Sequence, residues 1–590
     1  MGMDMKERRP PAETPIGLLR ISIIAVVVGV FAAGGAVLFR WMIAFFHNLL
    51  LLGQISIVYD ATEHTPPSPW GPFVILAPVI GAAGVVFLVT RFAPEAKGRG
   101  VPEVMDAIYY KNGTVRPIVA AIKALASSLC IGSGGPVGRE GPIIQIGGTL
   151  ASALSHVLKI PVRQRITLVA AGAAGGIAAT FNTPIGGILF VVELMLFEVS
   201  AETLVPVMIA TATATYISRL VLGPNPAFFI PALGTSVQIE NPEVLVLYAA
   251  LGIGLGLVSA LYIKAVFAWE DILEKKLRVN YYVRHMAAMA VVGIVMYLMI
   301  TYTGHYYVQG VGYATIQDIL SGTLTVIWFL VLLFILKITL TTLVLGSGAS
   351  GGIFSPALFI GATLGGAFGI GLSAAFPDMG ISPVAFTVTG MGAMVGGATG
   401  AAIAAIVMLF EMTRDYSIII PLTITVVAAY GVRKILSRDS LYTLGLKRRG
   451  HPIPASLEAY FPEAREVQAE MEIDFSIVAA SGTFGDTRPS PDHHLVVAEG
   501  GKVMGIITKN RIPELKDSDR PFRDLAEKTI DVPEGTQLSD VATLLRTHTA
   551  RAALVIRKPG EERPKEVIGV ITEERVDMIL SSESDFFPSR

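Results

Sequence analysis

Charge is absent from long stretches of this chain. Residues 21–39 carry none and are bracketed by Arg20 and Arg40, and residues 72–90, 166–192, 351–377 and 379–410 are equally uncharged. Residues 244–263 and 286–303 extend the pattern, as does 324–345, interrupted only by Lys337. A helix needs about 20 apolar residues to cross the hydrocarbon of a bilayer. The pattern predicts a polytopic α-helical membrane protein rather than a soluble one with several buried helices. Many runs are broken by glycine and proline, as in "AAGAAGGIAATFNTPIGGILF" and "GMGAMVGGATGAAIAAI". Small residues let membrane helices approach closely. Broken helices are tolerated where the freed backbone faces protein or water.

Composition agrees: 52% of residues are hydrophobic and 16% charged, well below a soluble protein's charge content. The net charge of -1 gives no electrostatic case for nucleic acid. A single cysteine, Cys130, excludes an intramolecular disulfide framework. The opening "MGMDMKERRPPAETP" has no signal-peptide pattern, and Lys6 departs from the myristoylation pattern after Gly2.

The chain contains a repeat. "KALASSLCIGSGGPVGREGPIIQIGGTL" from Lys123 aligns without gaps on "KITLTTLVLGSGASGGIFSPALFIGATL" from Lys337. Lys123 falls on Lys337, Gly138 on Gly352 and Pro142 on Pro356. Further on, both halves close a glycine-rich run on a glutamate, Glu193 and Glu411. Two homologous halves in one membrane protein point to a transporter or channel with its site at the repeat interface. The glycine loops would launch helices whose N-termini, bearing free N–H donors and about half a positive charge, make an anion site together. Glu140 sits where that anion would sit, and its repeat counterpart, Phe354, is uncharged. A tethered carboxylate that competes with a free anion and leaves when protonated is a gate. Pairing of Glu140 with Arg139 is the bland alternative, but adjacent residues on a helix do not face each other. Intramembrane carboxylates are functional by default.

Four motifs in order, "GRGVPE" (98–103), "GREGP" (138–142), "GIFSP" (352–356) and "SLYTL" (440–444), together with the repeat, resemble the CLC family of chloride channels and proton-coupled anion exchangers over about residues 18–450. The resemblance implies a homodimer with one anion pathway per subunit and inverted halves. It places Glu140 on the external gating glutamate. It makes Arg99, Gly100, Gly141, Ile353, Phe354 and Tyr442 the anion-binding positions, with backbone amides of Ile353 and Phe354 and the hydroxyl of Tyr442 as donors. Tyr442 has a plainer reading too, as an interfacial aromatic near Lys447, Arg448 and Arg449.

Two positions depart from the family pattern. Exchangers often carry a second acid on the proton path just after Glu193, where this chain has Leu194. Leucine carries no proton, so the expectation leans toward channel-like or weakly coupled conduction, with a proton-coupled exchanger as the alternative. The other departure is Arg99, where the family usually has serine. Either it snorkels to the interface and pairs with an acid such as Glu103, or it lies at the inner mouth of the anion path as a five-donor cation.

From about Glu466 the chain has soluble periodicity. "KVMGIITKNR" and "EVIGVITEER" repeat, each within a strand, turn, strand, helix pattern. This resembles a pair of cystathionine-β-synthase-type (CBS) regulatory domains, the first copy lacking its leading helix. Nucleotide-binding copies have an acid three residues after the threonine; here Thr508 is followed by Arg511 and Thr572 by Arg575, which argues against adenine-nucleotide binding.

The expected organisation is therefore an N-terminal segment (1–17) and an all-α polytopic membrane domain (18–450) of two homologous repeats, strongest at about 98–195 and 325–412. A linker (451–470) and a small α/β CBS-pair domain (471–590) follow. Both terminal segments are expected on the cytoplasmic side of a prokaryotic plasma membrane. The ligands are chloride or similar anions, with protons under the exchanger alternative; no cofactor or metal is expected. "GSGGPVG" is not an enzyme's nucleotide loop, which needs a preceding strand and an acid about 20 residues on. A membrane-anchored CBS sensor is the remaining alternative, opposed by the anion-path motifs.

Overall fold

The computed structural model describes residues 16–196, 199–224, 228, 242–453, 466–487, 489–557 and 567–581. The N-terminal segment, residues 454–465 of the expected linker and the 558–566 turn lie largely or wholly outside the described residues. The chain forms two compact units that divide after Ile453.

The first unit is helical. Its first half contains α1 (Leu18–His47), α2 (Leu76–Phe92), α3 (Val101–Tyr110), α4 (Ile118–Gly132), α5 (Glu140–Val157), α6 (Val162–Phe181), α7 (Pro184–Leu194) and α8 (Ala201–Leu222). Its second half contains α9 (Glu243–Glu270), α10 (Tyr281–Thr303), α11 (Tyr313–Leu320), α12 (Ile327–Gly346), α13 (Phe354–Ala375), α14 (Pro383–Thr399), α15 (Ala402–Thr413) and α16 (Ile419–Leu436). A last short helix, α17 (Leu441–Arg448), follows. Among the described residues, eight helical segments are long and apolar enough to cross a membrane.

Two uncharged runs are broken helices. Residues 166–192 divide into α6 and α7 at Asn182, whose φ is +61°, with Pro184 opening α7. Residues 379–410 divide into α14 and α15 at Gly400, whose φ is +85°. The arginines bracketing the first run do not end its helix: α1 begins before Arg20 and continues past Arg40 to His47.

Helix packing repeats from half to half and reaches well beyond the matching sequence. α5 packs on α6 as α13 does on α14, and α1 packs on α8 as α9 does on α16. Where equivalents meet, they run antiparallel. Gly138 and Gly352 form an antiparallel bridge in which each N–H donates to the other's carbonyl at 2.7 Å. Glu193 at the end of α7 accepts from the Ile403 and Ala404 amides opening α15, at 3.2 and 3.0 Å. Glu411 at the end of α15 accepts from the Ile185 and Gly186 amides opening α7, at 3.1 and 2.7 Å. Each glutamate thus supplies the cap that the other half's helix N-terminus lacks.

The two repeat lysines are fully buried and serve one purpose. Lys123 Nζ donates to the carbonyls of Ala96 (3.1 Å) and Gly98 (2.8 Å), and Lys337 Nζ to those of Val308 (2.9 Å) and Gly310 (2.8 Å). Gly98 and Gly310 each open a Gly-X-Gly turn before a short helix, α3 or α11. Each lysine therefore pins the turn that aims its half's short helix, and its ammonium finds acceptors that offset burial.

The second unit has two three-stranded sheets of one topology. β1 (Phe475–Ala479) pairs parallel with β2 (His494–Glu499), which pairs antiparallel with β3 (Lys502–Ile507). β4 (Thr529–Pro533), β5 (Ala552–Ile556) and β6 (Val567–Thr572) repeat that order. The helix Leu538–His548 connects β4 to β5, whereas the described residues between β1 and β2 form none.

Candidate functional site

Four helix N-termini assemble around the repeat seam: α3 behind Gly100, α5 behind Arg139, α13 behind Ile353 and α17 behind Ser440. The loops touch backbone to backbone. Gly100, at φ +91°, lies so near Gly141 that an added Cβ would come within 2.1 Å of the Gly141 carbonyl oxygen. A Cβ on Gly141 would meet the Arg99 carbonyl at 1.9 Å. Only glycine permits this approach.

Glu140, the first residue of α5, is 1% exposed. Its carboxylate crosses the seam and accepts from the Ser355 amide at 3.2 Å, the Tyr313 hydroxyl at 3.0 Å and the Ser355 hydroxyl. Tyr313 and Ser355 also bond each other at 2.9 Å. Donors from α11 and from the first turn of α13 thus converge on one anionic group. Arg139 does not pair with Glu140; its guanidinium stacks over the Tyr313 ring at 5.0 Å. Ile353 and Phe354 are buried at the start of α13, with the Phe354 ring against Phe181 at 5.1 Å. Tyr442 is buried on α17, its hydroxyl within electrostatic reach of Glu140, Tyr262 and Arg99.

Tyr313 and Ser355 escaped the sequence reading. The signal for Tyr313 was in the repeat: "GVGYAT" from Gly310 is the counterpart of "GRGVPE" from Gly98, and Tyr313 falls on Val101. Ser355 lies inside "GIFSP", one residue beyond the two chosen there.

Arg99 is 7% exposed and lines a vestibule of about 880 Å³. Its partner is not Glu103. That carboxylate is taken by the Gly100 amide (2.6 Å), closing the first turn of α3, and by Arg449 (2.7 Å). Arg99 instead stacks on Phe267 at 4.5 Å and reaches Glu270 at 3.4 Å, both on α9. Among the described residues its Nε has no hydrogen-bond partner, and neither does the buried Tyr262 hydroxyl, two turns before Glu270 on α9. The vestibule also holds Lys97, Lys111, Arg116, Lys275, Arg448 and Arg449, interleaved with Glu95, Glu103, Asp106, Glu270 and Glu274.

Leu194 is buried at the end of α7, beside Glu193 with its α15 contacts. In the second unit both substituted arginines are engaged internally. Arg511 pairs with Glu527 at 3.0 Å, and Arg575 reaches Glu472 at 3.4 Å. Burial opposes the Glu472 charge, but hydrogen bonds from Lys509 (2.7 Å) and His494 (2.5 Å) outweigh it and hold the carboxyl below its ordinary range. Burial also lowers His494, against the pull of Glu472. Among the described residues there is no cluster able to hold a metal ion.

Comparison with known proteins gives a consistent picture. The family profile described as voltage gated chloride channel matches residues 81–434. A Vibrio parahaemolyticus protein named H(+)/Cl(-) exchange transporter ClcA is 34% identical over 388 residues, covering 64% of this chain and 80% of its own. The Cronobacter sakazakii protein of the same name is 31% identical, covering 74% and 90%. Among solved structures, a slow cyanobacterial Cl-/H+ antiporter superposes with a TM-score of 0.63 at 24% identity, over 74% of this chain and 99% of that one. A eukaryotic CLC transporter superposes with a TM-score of 0.58 at 20% identity, over 95% and 98%, which extends the likeness of fold into the second unit.

Proposed function

Because the chain belongs to the CLC family of voltage gated chloride channels, we propose that it exchanges chloride, or a similar small anion, for protons, with Glu140 as gate. One observation carries this reading: the Glu140 carboxylate occupies a buried cradle of donors from Tyr313 and Ser355 at the seam between the halves. The cradle suits any small anion. While Glu140 is ionised it fills the cradle itself. Once protonated, its hold on the amide and hydroxyl donors weakens, it swings out, and a free anion takes its place. Proton and anion then move in opposite directions because one site serves both.

Arg99, Gly100, Gly141, Ile353, Phe354 and Tyr442 line the remaining path. Arg99 draws anions into the vestibule, which by its Lys and Arg content is the cytoplasmic mouth. The second unit, which follows α17 along the chain, is a CBS-type pair. Its arginines are committed to Glu527 and Glu472, so ATP or AMP added to the full chain should bind weakly or not at all by calorimetry. The working unit is a homodimer with one pathway per chain.

Leu194 suggested channel-like conduction. The relatives named above are exchange transporters, and they favour exchange over that lean. The proton therefore reaches Glu140 by a route that does not use the side chain at 194. The test is full-length protein in liposomes with chloride and proton movements recorded together. A chloride gradient should drive protons uphill in fixed ratio. Glu140→Gln should abolish proton movement and flatten the pH dependence of the remaining anion flux. Chloride flux without proton movement in the wild type would restore the channel reading.

A further inference from the structure

A second arginine cluster lies at the other end of the pathway. The two ends are fixed by α1. Near its start, the Ile16 amide donates to Gln164 Oε1 at the head of α6 (3.0 Å). The vestibule residues Thr114 and Val115 lie at that same end, against His156 and Ser152 near the end of α5. Arg40 and His47, toward the far end of α1, line a separate small cavity with Tyr59, Arg139, Gln309 and Gly310.

Among the described residues, the lining of this cavity has two guanidinium groups and no carboxylate. Arg139 Nε is buried without a partner, and the group rests on the Tyr313 ring. Among the described residues, neither Arg40 nor Arg139 has a hydrogen-bond partner. The charges acting on Arg40 are Arg139 and, from outside the lining, Asp60. Two like charges sharing a half-buried cavity are costly unless an anion joins them. Space sets the anion's size. The cavity is about 20 Å³, and about 10–15 Å³ in this measure already holds one water. That suits a single halide-sized ion and excludes phosphate or sulfate with their full complement of oxygens.

From this we infer that Arg40 and Arg139 form an outer binding site for one small halide-like anion, next to Tyr313 and hence one step from the Glu140 cradle. Arg139 belongs to the "GREGP" loop, but Arg40 comes from α1, outside every anion-path motif. An anion held there is positioned to enter the cradle as Glu140 swings away, and it raises local occupancy against the returning carboxylate. The functional part of this inference rests on the anion-transport reading; the existence of the site does not.

Two measurements on the full chain test it. Crystals soaked in bromide should show an anomalous peak between Arg40 and Arg139, and Arg40→Gln should remove it. In liposomes, Arg40→Gln should raise the half-saturating chloride concentration three- to tenfold at the face opposite the vestibule. Arg40→Lys, which keeps the charge but loses the planar fork, should fall between, and it carries the test if the glutamine variant does not fold. Absence of the wild-type peak overturns the site, and unchanged half-saturation in both variants overturns its part in anion entry. A wild type that moves no anion overturns the transport reading instead, while the bromide peak still reports on the site.

Discussion

The two halves of the membrane unit share a scaffold and differ in chemistry. Lys123 and Lys337 pin matching turns, and Glu193 and Glu411 cap each other's helices. At the centre the likeness stops. Glu140 corresponds to Phe354, and Arg99 corresponds to Val311. Residues that hold the fold together come in pairs, whereas these two charged residues near the seam occur once. A polar residue without a repeat counterpart is therefore the better candidate for function in this molecule, and a paired one for architecture.

Substitutions can break that comparison. Lys123→Met and Lys337→Met should each lower stability by about 3 kcal/mol, since each strips two buried carbonyls of a charged donor. The thermal midpoints of the two variants in detergent should fall together; a large difference between them would mean that one lysine serves the pathway. Arg99→Val, copying its counterpart, should weaken chloride affinity on the vestibule side about tenfold, or about 1.4 kcal/mol, with the thermal midpoint nearly unchanged. Equal affinities in Arg99→Val and wild type would place the side chain outside the path. Glu193→Gln and Glu411→Gln should cost about 1 kcal/mol each, because a neutral amide still accepts but without charge assistance. If only the Glu193 variant altered proton movement, that glutamate would be more than a cap.

The smallest effect lies in the second unit. His494 is lowered on folding, so the unfolded chain binds its proton first, and stability falls as pH drops below about 6.5. Glu472 is also lowered, so its contribution is complete above its unfolded value of about 4.3 and lost as pH falls through the folded one. Both work in one direction. Hydrogen exchange of β1–β3 in the full chain should quicken, after correction for intrinsic rates, between pH 7 and pH 4, by an amount equivalent to about 1 kcal/mol or less. A flat profile would show that burial does not lower His494 in the folded chain.

Much of this was legible in the sequence, because repeats and uncharged runs are local patterns. The spans, the duplicated loop and the strand-turn-strand pairs of the second unit all follow from stretches of about 30 residues. What escaped depends on distant partners. Glu103 was an acid four residues from Arg99 along the chain, but it was already committed to the cap of α3 and to Arg449, and the available acid was Glu270 on α9. Arg40 read as the end of a span because charge normally stops one; inside a wider helix it faces a cavity instead. Tyr313 stayed hidden because its turn keeps the glycines of "GRGVPE" and loses the proline and glutamate.

Gly138 and Gly352 are repeat counterparts bonded to each other. Such a position lies on the axis relating the halves. Had the halves been separate copies lying in opposite senses in a bilayer, each of these glycines would have faced itself, and any change would have struck both sides at once. A glutamate two residues along would then have brought two carboxylates to one seam, each repelling the other. Joining the copies in a single chain removed that constraint. Position 140 could become acidic while position 354 stayed aromatic, and fusion is what allowed a symmetric scaffold to carry a single carboxylate at its seam.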